Sequence, residues 1–323
     1  MARTLSLLTA LALATAAALP LGFVAAAAPT TASASSSGSE SVQVKRPKGK
    51  RWVPNCPLAQ PNSTIGLTLP SSCTVVASDT ASNPDPIPFW GSIDAASSSR
   101  HQQVSSGGDG HPTAIGQPQG DGSYRRMTVF DGDDFWGERA ELGKNNNQVG
   151  PTVFYREGER RVTFASIRMP SSSPVSNPNW RVVLQMKQTQ PYYNPSPSSI
   201  FEMHVRSGQW VVQSNWEDVW QMPAQQNTWT RFAFDIVYSQ DPSVGSIKIY
   251  VDLNGDGDAD DANEQSPRVH RQTLKAEVPG GISSFVPGES IPSHLRTGIY
   301  QSTDYSCPSG CSTEIDNVQV VKA

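Results

Sequence analysis

His294-Leu295-Arg296-Thr297-Gly298-Ile299-Tyr300-Gln301 is the stretch on which the reading of this chain turns. In an extended chain successive side chains point to opposite faces, so His294, Arg296, Gly298 and Tyr300 share one face and Leu295, Thr297 and Ile299 the other. One face is apolar and the other carries chemistry. Gly298 leaves room between Arg296 and Tyr300 for a close approach to the backbone, as in the floor of a groove.

The pattern recurs. In Arg181-Val182-Val183-Leu184-Gln185-Met186-Lys187-Gln188, alternation sets Val182, Leu184 and Met186 against Gln185 and Lys187. In Phe201-Glu202-Met203-His204-Val205-Arg206, the residues Glu202, His204 and Arg206 lie opposite Phe201, Met203 and Val205. Arg139 and Glu141 stand side by side in Glu138-Arg139-Ala140-Glu141-Leu142. Four strands with polar groups on one face and apolar residues behind can build a long polar cleft on a sheet.

Further strand-like runs cover Tyr124 to Val129, Thr152 to Tyr155, Arg161 to Met169, Gln209 to Gln213, Trp229 to Tyr238, Ser246 to Leu253 and Glu314 to Val321. Turn residues such as Ser207-Gly208 and Pro242 separate them, and no repeat or amphipathic helix interrupts the series. Eleven or more strands on short connections predict a single all-β domain, a concanavalin-like β-jelly-roll sandwich over residues 85 to 323.

Upstream, Met1 to about Ala28 has one arginine, a long Leu/Ala/Val run and small residues suited to cleavage, which reads as a secretory signal peptide ending within residues 26 to 34. Residues 35 to 51 read as a disordered linker, Ser-rich and then basic (Lys45, Arg46, Lys48, Lys50, Arg51). Residues 52 to 84 read as an irregular lead-in stapled by a disulfide. No later apolar run is long enough for a membrane span. In an exported chain the even set Cys56, Cys73, Cys307 and Cys311 favours disulfides over metal ligation, and three pairings are possible. Local pairing, Cys56 with Cys73 and Cys307 with Cys311, is expected because each pair brackets a Pro/Ser/Gly-rich loop. With 25 Lys+Arg against 29 Asp+Glu, the net charge of −4 gives no reason to expect a nucleic-acid partner. A monomer is expected.

Gly137-Glu138-Arg139-Ala140-Glu141-Leu142, the Gln185 strand and Arg296-x-Gly298-x-Tyr300-Gln301 together resemble the three signature strands of β-jelly-roll polysaccharide lyases. The resemblance is nearest to the heparin lyase I-like family, with alginate lyases more distant, and it runs from about residue 85 through the closing strand Glu314-Ile315-Asp316-Asn317-Val318. It implies eliminative cleavage of a uronic-acid polymer: the C5 proton leaves, the C4–O4 bond breaks and an unsaturated sugar end remains. That chemistry needs the neighbouring carboxylate neutralised by groups aimed at its oxygens, and Arg139 and Gln185 are the candidates. By resemblance Tyr300 is the catalytic tyrosine, and Arg296 stands where the family usually has lysine, placed to favour the tyrosine's anionic form. Lys187 occupies the position at which the family often carries a histidine base, and a lysine there is expected either to neutralise the substrate or, with its pKa depressed, to act as base. Tyr300 is then left to act as both base and acid, or His204 or His294 to substitute.

Glu141, His204, Arg206, His294 and Gln301 are expected to line the substrate. Arg139, Gln185, Lys187, Arg206 and Arg296 would make the groove locally basic, suited to an acidic polysaccharide. A non-catalytic binding module is the rival reading, and a glycosidase using Glu141 and Glu202 a third, because fold alone does not settle function.

A separate signal is Asp252-Leu253-Asn254-Gly255-Asp256-Gly257-Asp258-Ala259-Asp260-Asp261. Oxygen ligands at loop positions 1, 3, 5, 7 and 9 (Asp252, Asn254, Asp256, Asp258 and Asp260), with glycine at 6, follow a calcium loop. Position 12 is Asn263, with Glu264 one step later, so a structural calcium ion is expected in a shortened version of the motif.

Overall fold

The computed structural model describes residues 73–105, 122–144, 154–155, 157–188, 199–255, 259, 261–274 and 291–323. These fall in one compact unit, 50–323. They form sixteen strands: β1 Thr74–Asp79, β2 Ser92–Ala95, β3 His101–Ser105, β4 Ser123–Val129, β5 Arg139–Lys144, β6 Phe154–Tyr155, β7 Glu159–Arg168 and β8 Arg181–Gln188. The rest are β9 Ser199–Arg206, β10 Gln209–Ser214, β11 Glu217–Pro223, β12 Trp229–Tyr238, β13 Ser246–Asp252, β14 Val269–His270, β15 Ile291–Gln301 and β16 Cys311–Lys322.

Two antiparallel sheets result, as a jelly roll requires. The outer sheet runs β14-β13-β12-β7-β16-β4-β3, with β1 also paired to β16. The groove sheet runs β11-β10-β9-β8-β15-β5-β2, with β6 paired to β15. Leu184, Met186, Leu295 and Ile299 of the groove sheet pack into one core with Ile167, Phe232, Phe234 and Ile315 of the outer sheet. The alternation read from the sequence thus holds: the apolar faces of the two sheets meet, and the other faces are left for charge and chemistry.

The lead-in boundary at residue 84 needs correction, because β1 lies inside it and zips along β16, from Thr74 opposite Lys322 to Asp79 opposite Val318. Its half-exposed, bulged pattern hides the period-2 signal. Asp79 fastens this edge inward: it pairs with buried Arg125 at 2.7 Å and accepts from Trp90 Nε1 at 2.6 Å. Cys307 and Cys311 form a disulfide. Cys73 is also disulfide-bonded, while Cys56, the signal segment and the linker lie outside the described residues. Among the described residues no helix is long and apolar enough to cross a membrane.

Candidate active site

The site is organised on β15, which lies between β8 and β5 in the groove sheet. Its register sets Arg296 opposite Gln185 and Tyr300 opposite Val182 on one side, and Gly298 opposite Glu141 and Tyr300 opposite Arg139 on the other. Directly paired residues share a face, so these positions converge on one surface. Gly298 is required in two ways: its φ is +145°, and a Cβ there would come within 2.3 Å of the Ala140 carbonyl. On the β8 side the pairing slips between Thr297 and Tyr300, and β8 is itself bulged at Val183. That extra residue turns Val182 onto the Tyr300 and His204 face, whereas plain alternation grouped it with Leu184 and Met186.

Tyr300 is gripped on several sides. The Arg139 guanidinium lies 4.0 Å from its ring centre, and Trp180 meets it edge to face at 5.0 Å. Gly137 lies against the ring edge, where a Cβ would sit 3.0 Å from Cε2. The cation beside the tyrosine is therefore Arg139. Arg296, expected in that role, reaches across to Asp94 of β2 in a close ion pair. Register explains the exchange: Tyr300 and Arg139 are direct cross-strand partners, whereas Asp94 sits one strand beyond, opposite Glu141.

Glu141 is fully buried beneath this face. Its Oε1 accepts from Gln185 Nε2 at 2.5 Å, and its Oε2 lies 3.6 Å from both Arg139 Nη1 and Arg296 Nη1. It organises the groove floor without touching solvent, so its placement among the substrate contacts is corrected. The same burial removes it as a glycosidase carboxylate, which must face the cleaved bond.

Lys187 is half-buried, and among the described residues no carboxylate lies within ion-pair distance of it. Burial lowers its pKa, Glu141 opposes that, and Arg296 and Arg139 push it further down, leaving it below the ordinary lysine value. On the next strand His204 Nε2 and Glu202 Oε2 are 2.9 Å apart. Burial pushes the Glu202 carboxyl up, but hydrogen bonding and charge from His204 outweigh it, so that carboxyl titrates below its usual range. His294 is placed opposite Lys187 by its backbone, and its side chain lies outside the described residues.

Two further expectations change. Gln301 lies on the core-side face with Leu295: its Nε2 donates to Glu138 at 3.2 Å, its Oε1 accepts from Arg181 at 3.2 Å, and it is almost fully buried. Arg206 is on the groove face but pairs with Asp218 at 2.6 Å. The groove is not a plain basic strip either. Arg139, Lys187 and Arg296 are matched by Asp94, Glu141 and Glu202, because buried guanidinium groups require nearby counter-charge. Asp94 and Trp180 were not singled out from the sequence and Gly137 only as the first residue of a signature strand, and each acts through a contact between segments distant along the chain.

In the candidate calcium loop, Asp252 Oδ2 lies 3.1 Å from Arg231 and Oδ1 accepts from the Gly255 N–H at 2.6 Å. Asn254 donates to Asp261. Asp256, Asp258 and Asp260 lie outside the described residues.

A polar face crosses several strands of an open jelly-roll sheet, with Tyr300 and Arg139 packed together on it, and an open face of this kind suits an extended ligand better than an enclosed small one. The family model described as Polysaccharide lyase matches residues 91–318, and the chain belongs to that family. The protein is a polysaccharide lyase. Among solved structures, the endo-β-1,4-glucuronan lyase of the fungus Trichoderma reesei is 12% identical, with a TM-score of 0.50 over 76% of this chain and 95% of that one. An alginate lyase from Aplysia kurodai is 9% identical, with a TM-score of 0.49 over 77% and 100%. No curated protein matches the chain.

Proposed function

We propose that this lyase cuts a uronic-acid polysaccharide by β-elimination, with Tyr300 as both base and acid, and that it works outside the cell. The observation that carries the reading is the cluster around Tyr300: a phenol packed against the Arg139 guanidinium at 4.0 Å and edge to face with Trp180, on the groove face that also carries Arg296 and Lys187. In the reaction the Tyr300 oxygen takes the C5 proton, the C4=C5 double bond forms, the C4–O4 bond breaks and O4 receives a proton from Tyr300. One group can do both only if the proton and the leaving oxygen lie on the same side of the sugar ring. Lys187 and Arg139 neutralise the substrate carboxylate, which makes the C5 proton removable. Glu141, itself held by Gln185, steadies Arg139 and Arg296, and Asp94 anchors Arg296, without entering the chemistry.

The test is the ultraviolet absorbance of the conjugated unsaturated uronate, followed against glucuronan, alginate and heparin-like chains. A rise on any of them identifies the polymer. No rise on all of them, from protein shown to be folded, refutes the eliminative reading.

We also propose that the Asp252 loop holds a structural calcium ion. Glu264 folds back into it: Oε1 accepts from the Leu253 and Asn254 N–H groups at 2.8 and 3.3 Å, and Oε2 is buried without a hydrogen-bond partner. Burial, with Asp252 close by, raises the Glu264 pKa although those N–H groups oppose it. An orphaned oxygen beside a second carboxylate suits a hard cation.

A further inference from the structure

Trp136 and Trp216 are 84% and 66% exposed, whereas Trp90 and Trp210 are fully buried. Both exposed tryptophans hold left-handed backbone, φ +58° and +69°. A bulky residue in that region is strained, and strain left without burial to offset it points to a functional site.

Trp216 gives the clearer case. Ser214 pairs with Glu217, so Asn215 and Trp216 make a two-residue hairpin turn, and both have positive φ. That geometry favours Asn followed by Gly, and here tryptophan takes the glycine position. The ring borders a shallow recess formed with Ser199, Glu202 and Gln213. Gln213 is opposite Glu202, which is opposite Gln185, so the recess continues the row that crosses the groove.

Trp136 stands at the other end. The next residue is Gly137, against the Tyr300 ring, and the Trp136 carbonyl accepts from Arg139 Nη2 at 3.4 Å. Between the strands the two tryptophans flank, β5 and β10, are four sheet steps, about 19 Å. Trp136 precedes the Arg139 end of β5, while Trp216 lies beyond Gln213, so they mark opposite corners of the polar face.

We propose that Trp136 and Trp216 are stacking platforms for sugar rings of the polymer, Trp136 beside the reacting unit and Trp216 several units away. A pyranose presents a C–H face that packs on an aromatic ring while its hydroxyls and carboxylate stay available to the polar row. The proposal rests on the groove being the uronate-polymer site.

The test combines turnover with gel retardation by the same uronate polymers. Trp216→Gly is expected to raise KM for long polymer about tenfold with kcat within about twofold, and to leave an oligosaccharide too short to reach it unaffected. The same variant should melt at a higher temperature, because glycine suits the turn; a merely structural tryptophan would lower it. Trp216→Phe should keep most of the affinity. Trp136→Ala should raise KM for both long and short chains. Unchanged polymer KM and unchanged retardation in both Trp216→Gly and Trp136→Ala overturn the platforms and leave the lyase reading standing. A wild-type protein that neither turns over nor is retarded by any uronate polymer overturns both.

Discussion

Glu314 of the outer sheet and Glu141 of the groove sheet are both fully buried, and each lies between two arginines. Around Glu314 the pairing is saturated: Arg126 binds Oε1 at 2.7 Å and Arg168 makes a still closer contact with Oε2. Around Glu141 both guanidinium groups stand 3.6 Å from one oxygen, too far for a hydrogen bond, and the other oxygen goes to Gln185. The same residue types therefore do different work. On the outer sheet carboxylate and arginine complete each other and hold strands together. In the groove the carboxylate steadies two cations from a distance, while Arg296 closes on Asp94 and Arg139 lies against the Tyr300 ring, where a substrate would meet it.

The largest effect that should sharpen this contrast is that of Tyr300→Phe. With base and acid lost together, kcat should fall about 10⁴-fold while gel retardation by the polymer persists. Comparable turnover in the variant would remove Tyr300 from the reaction. Lys187→Met should lower kcat/KM about 10²-fold, as for loss of one preorganised charge.

Lys187 also sets a pH dependence. Its folded-state pKa lies below the unfolded value, so the buried ammonium costs stability at neutral pH, and that cost is relieved as pH rises from the folded to the unfolded value. Activity should accordingly fall on the alkaline side earlier than an ordinary lysine would dictate. A kcat/KM profile whose alkaline limb is unchanged in Lys187→Met would break this assignment.

Glu314→Gln should act only on the fold, costing about 2 kcal/mol in denaturant unfolding with kcat unchanged in the folded protein. If that variant lost catalysis at constant stability, the division between the two sheets would be wrong. The smallest change is expected from chelation: removing calcium should lower the melting temperature by about 3 °C and leave polymer retardation intact. No shift on chelation or calcium addition would remove the metal.

Much of the fold was legible because buried strands announce themselves by alternation, as in β8, β9 and β15. The strands not read from sequence were β1, β2, β3, β11 and β14, among which β1 and β11 are largely exposed and β14 has two residues. Such elements are held by neighbours more than by their own pattern. At the site, the side-by-side placement of Arg296 and Tyr300 followed from period 2, and so should the exclusion of Gln301, one residue on and on the other face. What could not be read was the partnering. Nothing in the local sequence says that Arg296 turns to Asp94, that Gly137 backs Tyr300, or that a bulge at Val183 swings Val182 into the groove.

The position of β16 has a consequence for how the molecule is made. It follows every other strand in the chain, yet it lies inside the outer sheet, joined to β7, β4 and β1. Until Cys311 to Lys322 has been synthesised, β4 and β7 have no strand between them, and β1 must wait for a partner more than two hundred residues away. Assembly of the outer sheet therefore waits on this strand, and the rate-limiting step should be closure of these long-range pairings. Shortening the chain by this one strand should abolish folding outright, where loss of an edge strand such as β14 would only weaken it.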